Sequence, residues 1–231
     1  MWPLGGGLTN RSFVLRGDFG KWVLRLNGLA PGIDRQREAA ALDVVGPAGF
    51  GPEVIRNDPA TGFLLYHFLP GQTLTVARAR SAAGQRSVGR WLRRLHALDV
   101  EVPQVDAVGA LNAYLSDLSE VEARPLRARF ETIADALASP TDLALCHLDL
   151  VAGNIVQTPS GLKAIDWEYA GLSPPEIDLA FYLVYQKLSL SEATLFLQAY
   201  AGDQADAWRE RVQPYLLLAQ LLDEAWRALM R

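Results

Sequence analysis

Three polar side chains have the types and the spacing that transfer of a phosphoryl group to an alcohol requires. Asn154 follows Asp149 by five positions, and Asp166 follows Asn154 by twelve. In this chemistry a carboxylate orients the attacking hydroxyl and accepts its proton, while oxygen ligands hold Mg²⁺ against the phosphates. The pattern predicts Asp149 as the catalytic base, and Asn154 and Asp166 as the ligands of Mg²⁺.

A loop followed by a β-hairpin is predicted to bring these three side chains together. Strands are predicted over 154–157 and 162–166, on either side of a Thr-Pro-Ser-Gly turn at 158–161 whose proline and glycine positions suit a type I turn. The loop aims its two polar side chains at one point, and the hairpin returns Asp166 to the same place. Asp and Asn also cap and turn ordinary loops. The ordered combination of loop, hairpin and second aspartate is therefore what favours the catalytic interpretation.

The region before residue 70 supplies candidate partners for the phosphates of a nucleotide. A glycine-rich turn at residues 5–12 offers backbone N–H groups and small polar side chains to phosphate oxygens. Its candidate nucleotide-binding residues are Gly6, Gly7, Asn10 and Ser12. Arg25, at the end of a predicted strand, and Glu38, on the following predicted helix, are expected to pair beside the α- and β-phosphates.

Hydrophobic periodicity and turn residues divide the chain at a predicted hinge, Pro70-Gly71. Before the hinge we predict strands over 13–15, 21–26 and 62–69, and a helix over 35–45 with Asp34 as its N-cap. After it we predict helices over 84–98, 109–138 (one or two), 176–187, 190–201 and 206–230. The expected fold class is α+β. A small antiparallel sheet would form an N-terminal ATP-binding lobe (1–69), and a larger, mainly helical lobe (70–231) would bind the substrate and carry the catalytic loop.

Composition limits the classes of function. The chain has 231 residues and a net charge of −4, which argues against a nucleic-acid partner because such proteins present a basic surface. Its one cysteine, Cys146, excludes an internal disulfide and fits a reducing compartment; we expect it to be buried and unreactive. No apolar run approaches the roughly 18 residues of a membrane span. These features predict a cytoplasmic protein without membrane insertion, and they leave its oligomeric state open.

The stretch from His147 to Asn154, followed by Ile-Asp-Trp-Glu-Tyr-Ala at 165–170, has the spacing of a protein-kinase catalytic loop and metal-binding segment. It resembles the aminoglycoside phosphotransferase and choline kinase superfamily, and within it the choline/ethanolamine kinase-like or thiamine kinase-like branch. Further stretches that match in the same order are Gly6–Phe13, Val23–Leu26, Ile33–Arg35, Leu92–His96 and Asp178–Ala180. The resemblance covers nearly the whole chain and implies a protein-kinase-like bilobal fold.

The resemblance also implies what the protein binds. ATP would be the co-substrate, Mg²⁺ the cofactor, and a small hydroxylated metabolite such as choline, ethanolamine or thiamine the acceptor. Adenine would bind the backbone near His67 and Leu69, and Asp178 would brace the catalytic loop. A carboxylate and aromatic faces would suit a cationic acceptor. The tentative substrate-binding residues are Trp167, Glu168 and Tyr169, and Glu168 could instead be a secondary metal contact or lie behind the metal ligands.

Two histidines and two tryptophans have less specific patterns. We expect His96 and His147 to be structural and satisfied by internal hydrogen bonds. Trp208 and Trp226, in the last predicted helix, are as compatible with core packing as with the walls of a cage for a trimethylammonium group.

Other functions are also compatible with the sequence. An antibiotic kinase of the aminoglycoside type, or a sugar or ketosamine kinase, would share the fold. A metal-dependent hydrolase could use His147, Asp149 and Asp166, but it would need neither Asn154 nor a hinge. A nucleotide-binding pseudokinase is disfavoured because the base, both metal ligands and the Arg–Glu pair are all present.

Overall fold

The computed structural model describes residues 2–5, 9–137 and 142–231. Gly6 and Gly7, two of the predicted nucleotide-binding residues, lie outside these ranges.

The N-terminal part of the chain forms a five-stranded antiparallel sheet. Its strands are β1 (Trp2–Leu4), β2 (Arg11–Gly17), β3 (Gly20–Leu26), β4 (Val54–Asp58) and β5 (Phe63–His67). They lie in the order β1-β2-β3-β5-β4. Side chains alternate between the two faces of a strand, and in β3 this alternation buries Val23 and Arg25. The sheet thus carries Arg25 on the same face as its apolar residues.

Helix α1 (Arg35–Val45) begins where the sequence predicts because Asp34 caps it. The Asp34 carboxylate accepts hydrogen bonds from the N–H groups of Gln36 and Arg37, at 2.9 and 3.1 Å, and so satisfies two donors that the helix itself leaves free. This cap fixes the position at which the helix starts, and with it the placement of Glu38 on the buried face.

The rest of the chain is mainly helical. Its α-helices are α2 (Val76–Arg80), α3 (Ala82–Leu95), α4 (Ala107–Asp117), α5 (Glu120–Glu131), α6 (Pro175–Tyr185), α7 (Leu190–Ala201) and α8 (Ala205–Leu229). Val88, Trp91, Leu92 and Leu95 form the predicted buried stripe of α3. The segment 109–138 was predicted to form one or two helices, and its described part contains two α-helices, α4 and α5.

Short strands carry the predicted catalytic segment. They are β6 (Gln72–Thr73), β7 (Ala144–Cys146), β8 (Ile155–Thr158), β9 (Gly161–Ala164) and β10 (Gly171–Ser173). β8 and β9 form the predicted hairpin, with Ile155 opposite Ala164 and Thr158 opposite Gly161. Gly161 has a φ of 120°, a backbone conformation that favours glycine. β9 ends two residues before Asp166, whose φ of 66° turns the chain out of the hairpin.

One cluster of buried side chains joins the sheet to the helices. It includes Leu42 and Leu64 from the N-terminal part and Leu92 and Leu145 from the rest of the chain. The expected domain boundary lies between residues 69 and 70. Because the buried core continues from one side of this boundary to the other, the boundary stays a prediction. Within the described ranges, no helix combines the length and the apolar character needed to cross a bilayer.

Candidate active site

A cavity of about 550 Å³ contains the three predicted catalytic side chains, Asp149, Asn154 and Asp166. The Asn154 side chain donates from Nδ2 to Asp149 Oδ2 at 2.8 Å and to the Asp149 carbonyl oxygen at 2.9 Å. With its nitrogen engaged in this way, Asn154 has its amide oxygen left to act as a ligand. That oxygen and the Asp166 carboxylate are the hard donors that Mg²⁺ prefers, so the residues present fit the predicted cofactor.

Asp178 holds the start of the predicted catalytic loop through hydrogen bonds to its backbone. It is the fourth residue of α6, and its two carboxylate oxygens accept hydrogen bonds from the backbone N–H groups of His147 and Leu148, at 2.8 and 2.7 Å. Leu148 has a φ of 64°, a conformation that costs free energy for a residue with a side chain. The Asp178 contacts stabilise this conformation, which directs the next residue, Asp149, towards the cavity. This is the bracing contact expected of Asp178.

His147 joins the catalytic loop to the metal-binding segment. Its Nδ1 accepts a hydrogen bond from the Asp149 N–H at 3.2 Å, so its Nε2 carries the proton and donates to the Ile165 carbonyl oxygen at 2.9 Å. Burial lowers the pKa of His147, which favours this neutral form. His96 lies between the Tyr200 hydroxyl and Asp178, 2.9 and 3.2 Å away. Both histidines are therefore satisfied internally, as expected.

The surroundings of Asp149 favour its role as a base near neutral pH. Burial raises the pKa of its carboxyl to about 7, and although the hydrogen bond from Asn154 opposes this, the charges of Glu168 and Asp223 add to it. Burial, followed by the charge of Glu168, also raises the pKa of Asp166, whereas Arg25 opposes that change. A general base is most effective when its pKa lies near the working pH.

Aromatic side chains from α6 and α8 form the part of the cavity wall that lies beyond Asp149. Phe181 and Tyr185 stack with ring centroids 5.4 Å apart, and Trp226 completes the wall beside Tyr169 and Asp223. Trp226 is therefore a cavity residue. Trp208 is absent from the residues that line the cavity; it packs edge-on against Tyr200, with centroids 4.9 Å apart.

Residues 2–227 match the sequence model of the phosphotransferase enzyme family. The chain belongs to this family. The predicted superfamily is thereby confirmed, and the predicted enzyme class is the one that the description of this family names.

Individual relatives agree with this placement. Protein LicA from Haemophilus influenzae is 27% identical over 210 residues, which are 85% of this chain and 61% of that protein. The chain thus spans less than two thirds of the length of that relative. The crystal structure of a choline/ethanolamine kinase family protein from Mesorhizobium loti has a TM-score of 0.82 and 31% identity, over 96% of this chain and 76% of that one. That of choline kinase LicA from Streptococcus pneumoniae has a TM-score of 0.84 and 22% identity, over 99% and 85%. The predicted kinase-like α+β fold is confirmed.

Asn10, one of the predicted nucleotide-binding residues, contacts the segment that carries Asp166. Asn10 donates from Nδ2 to Glu168 Oε2 at 2.7 Å, and its Oδ1 accepts from the backbone N–H of Gly28 at 3.1 Å. The Asn10 side chain is thus engaged within the protein, and its contact with a phosphate stays a prediction. Ser12 lies in β2 opposite Arg25 of β3, and its phosphate contact is likewise a prediction.

Arg25 and Glu38 form the predicted ion pair. Arg25 Nη2 lies 2.7 Å from the Glu38 carboxylate, and both side chains are buried. Arg25 Nη1 also lies 3.2 Å from Asp166 Oδ1, so the pair is connected directly to a predicted metal ligand. Its contact with the α- and β-phosphates stays a prediction.

The two predicted adenine-binding residues, His67 and Leu69, differ in whether their backbone N–H groups are available. The His67 N–H donates to the Glu53 carbonyl oxygen at 2.9 Å. The Leu69 N–H makes no hydrogen bond among the described residues. Of the two predicted adenine-binding positions, only Leu69 therefore has a backbone N–H that is not already engaged.

The three tentative substrate-binding residues differ in position. Trp167 is fully buried, donates from Nε1 to the Ala164 carbonyl oxygen at 2.9 Å and packs on His147 with ring centroids 4.6 Å apart. The expectation that Trp167 contacts the substrate is therefore wrong, because its ring supports the loop from the core side. Glu168 and Tyr169 do line the cavity.

Sequence reasoning missed several residues of the site. The missed residues are Thr9, Arg35, Phe181, Tyr185 and Asp223. Phe181 and Tyr185 are four positions apart and so share one face of a helix. The same pattern, however, is typical of core packing, so it did not identify a cavity wall.

Proposed function

We propose that the protein transfers the γ-phosphoryl group of ATP to the hydroxyl of a small cationic alcohol. The observation that supports this most is the position of Asp149, which lies in a cavity whose wall combines aromatic faces with carboxylates. The family of the chain and its likeness to a choline/ethanolamine kinase family protein support the same reaction.

In the proposed reaction Asp149 accepts the proton of the acceptor hydroxyl. The hydroxyl oxygen forms a bond to the γ-phosphorus while the bond from that phosphorus to the β,γ-bridging oxygen breaks, and ADP leaves with the electron pair. Asn154 and Asp166 would hold Mg²⁺, which when bound neutralises charge on the phosphates. Asn154 also orients Asp149 through the 2.8 Å hydrogen bond between their side chains.

The charge and the lining of the cavity support a cationic acceptor. Five carboxylates line it, those of Asp106, Asp149, Asp166, Glu168 and Asp223, against the two cations Arg37 and Arg227. The faces of aromatic rings attract a quaternary ammonium or a thiazolium cation. The rings available are those of Tyr114, Tyr169, Phe181, Tyr185 and Trp226.

The test is an ADP-release assay with Mg²⁺ and ATP against choline, ethanolamine, thiamine, a ketosamine, a hexose and an aminoglycoside. We expect turnover on a cationic alcohol and phosphorylation of that alcohol. Turnover only on the hexose, the ketosamine or the aminoglycoside would contradict the proposed acceptor class. Release of phosphate without any acceptor requirement would indicate a hydrolase instead.

Trp226 lines the cavity and Trp208 does not, although both lie on α8. Substitution of each one therefore tests whether the acceptor binds at the aromatic wall. Trp226→Leu should raise the KM of the cationic acceptor about tenfold, the order expected for loss of one desolvated cation–π contact, and leave the KM of ATP unchanged. Trp208→Leu, outside the cavity, is the control and should leave both constants unchanged. Equal effects of the two substitutions would show that the aromatic wall does not bind the acceptor.

A further inference from the structure

We propose that Arg35 is a positioning residue for phosphoryl transfer, whose guanidinium joins Asn10 and Gly28 to Glu168 and thereby fixes the segment that carries Asp166. This inference rests on the proposed function, because it assigns Asp166 to Mg²⁺ and the turn to the nucleotide. It also gives Glu168 a partner within the protein in place of a cation on the acceptor.

The Arg35 side chain contacts four groups at once. Its Nη1 lies 2.8 Å from Glu38 Oε2 and 2.9 Å from Glu168 Oε2. Its Nη2 donates to Asn10 Oδ1 at 3.0 Å and to the Gly28 carbonyl oxygen at 2.9 Å. Only the planar, forked guanidinium of arginine offers several donors in fixed directions. The site therefore uses a property that lysine lacks.

The start of α1 explains how Arg35 reaches these groups. Asp34 caps the helix, so Arg35 is its first residue and Glu38 lies one turn later on the same side. The Glu38 carboxylate forms ion pairs with both Arg35 and Arg25. Helix α1 is thereby connected to the metal-binding segment twice, through Arg25 to Asp166 and through Arg35 to Glu168.

Glu168 is saturated by donors from the N-terminal part of the chain. Its Oε1 accepts from Thr9 Oγ1 at 3.0 Å, and its Oε2 accepts from Asn10 Nδ2 at 2.7 Å and from Arg35. Its side chain is only 4% exposed. A buried carboxylate requires a countercharge and hydrogen bonds, and Arg35 supplies the full positive charge among these three donors.

Loss of Arg35 should therefore affect the nucleotide and its metal more than the acceptor. Glu168, two residues after Asp166, would lose its countercharge, and Asn10 would lose the hydrogen bond that Arg35 donates to its Oδ1. Removal of a partner that orients a metal ligand typically lowers metal affinity or activity about 10- to 100-fold. We expect a loss of that size in the Mg²⁺-dependent affinity for nucleotide and in kcat, with little change in the KM of the acceptor.

The experiment measures the affinity for a non-hydrolysable ATP analogue by calorimetry, with and without Mg²⁺, in Arg35→Gln, Arg35→Lys, Glu168→Gln and the double variant Arg35→Gln/Glu168→Gln. Arg35→Gln should lose the Mg²⁺-dependent part of the affinity, and Arg35→Lys should recover only part of it. The losses in the double variant should be smaller than the sum of the two single losses, because both changes remove the interaction between Arg35 and Glu168. Arg211→Gln is the control: it leaves the buried Glu176, 2.6 Å from Arg211 Nε, without its charged partner, and neither residue lines the cavity.

Two results would overturn the inference. One is an unchanged nucleotide affinity in Arg35→Gln with a fall in thermal midpoint like that of Arg211→Gln, which would indicate a structural role alone. The other is a rise confined to the KM of a cationic acceptor in Glu168→Gln, which would return Glu168 to acceptor binding. The calorimetric measurement needs no acceptor, so it tests the role of Arg35 independently of the acceptor. If the proposed acceptor class is wrong, the ADP-release assay will show that separately, either as no turnover or as turnover only on acceptors that are not cationic.

Discussion

Asp149 is held where its charge is disfavoured, and the same surroundings equip it to accept a proton. Burial and the charges of Glu168 and Asp223 raise its pKa, while Asn154 keeps its carboxylate oriented. Asp149→Asn preserves the shape and the hydrogen bond from Asn154 but removes the proton acceptor. We expect turnover to fall by about two to four orders of magnitude, the usual contribution of a positioned base, while calorimetry shows nearly unchanged nucleotide affinity. Near-normal turnover would remove Asp149 from this role.

The raised pKa of Asp149 also predicts how the stability of the protein depends on pH. The pKa rises from an ordinary 3.8 to about 7 on folding, so the folded state binds this proton more tightly than the unfolded state. The resulting stabilisation is present in full below pH 3.8 and is lost as the pH rises through 7. Asp149→Asn should therefore have a higher thermal midpoint than the wild type at pH 8, and the difference should shrink as the pH falls towards 4. A difference that is constant across this range would contradict the prediction.

The sequence predicted some site residues because their relationship is local. Asp149, Asn154 and Asp166 belong to one loop and one hairpin, so their spacing determines where they meet. The partners of Glu168 could not be predicted in the same way, since Arg35 lies 133 positions away along the chain. Trp167 shows a different limit: the positive φ of Asp166 ends the alternation of the strand, so the direction of the next side chains does not follow from period two.

At the scale of secondary-structure elements, α6 determines the geometry of the catalytic loop. The Asp178 carboxylate accepts hydrogen bonds from the backbone N–H groups of the two residues before Asp149, His147 and Leu148. In Asp178→Asn the amide nitrogen would face one of these donors, so we expect the loop to shift and kcat to fall about 10- to 100-fold, the size of effect that a misplaced catalytic group produces. Steady-state kinetics checks this. Tyr200→Phe, which removes a contact to His96 but none to Asp178, is the control and should keep its kcat.

Helix bounds were predictable only in part, although capping residues mark several of them. Asp34 fixed the start of α1 at the predicted residue. The sequence did not predict α2, which Thr75 caps, and it left open whether α4 and α5 are one helix or two, because a Ser, Thr or Asp has the same local pattern whether it caps a helix or lies in a turn. The aromatic wall was missed for a related reason, since an apolar stripe on a helix has the same pattern whether it faces a cavity or the core.

At the scale of the whole molecule, the sheet and the helices depend on each other for stability. The buried cluster runs from Val23 and Leu64 of the sheet to Leu145 beside the catalytic loop. Between the two parts lie the partly buried pairs of Arg25 with Asp166 and Arg35 with Glu168. A charge left unpaired in such a place is strongly destabilising. Neither part should therefore remain folded when the other unfolds.

We accordingly predict that the protein unfolds in a single cooperative transition, in spite of the two lobes expected from its sequence. Tryptophan fluorescence reports on the sheet through Trp22 and on the helices through Trp91 and Trp226. In each variant that retains one of these tryptophans, the fluorescence and the far-UV circular dichroism of that variant should give the same denaturant midpoint, as two-state behaviour requires. An ATP analogue with Mg²⁺ should raise all three midpoints together, because a ligand that binds only the folded state stabilises the whole cooperative unit. An earlier transition at Trp22 alone would show instead that residues 1–69 form an independent unit, and that the contacts through Arg25 and Arg35 do not couple the sheet to the catalytic loop.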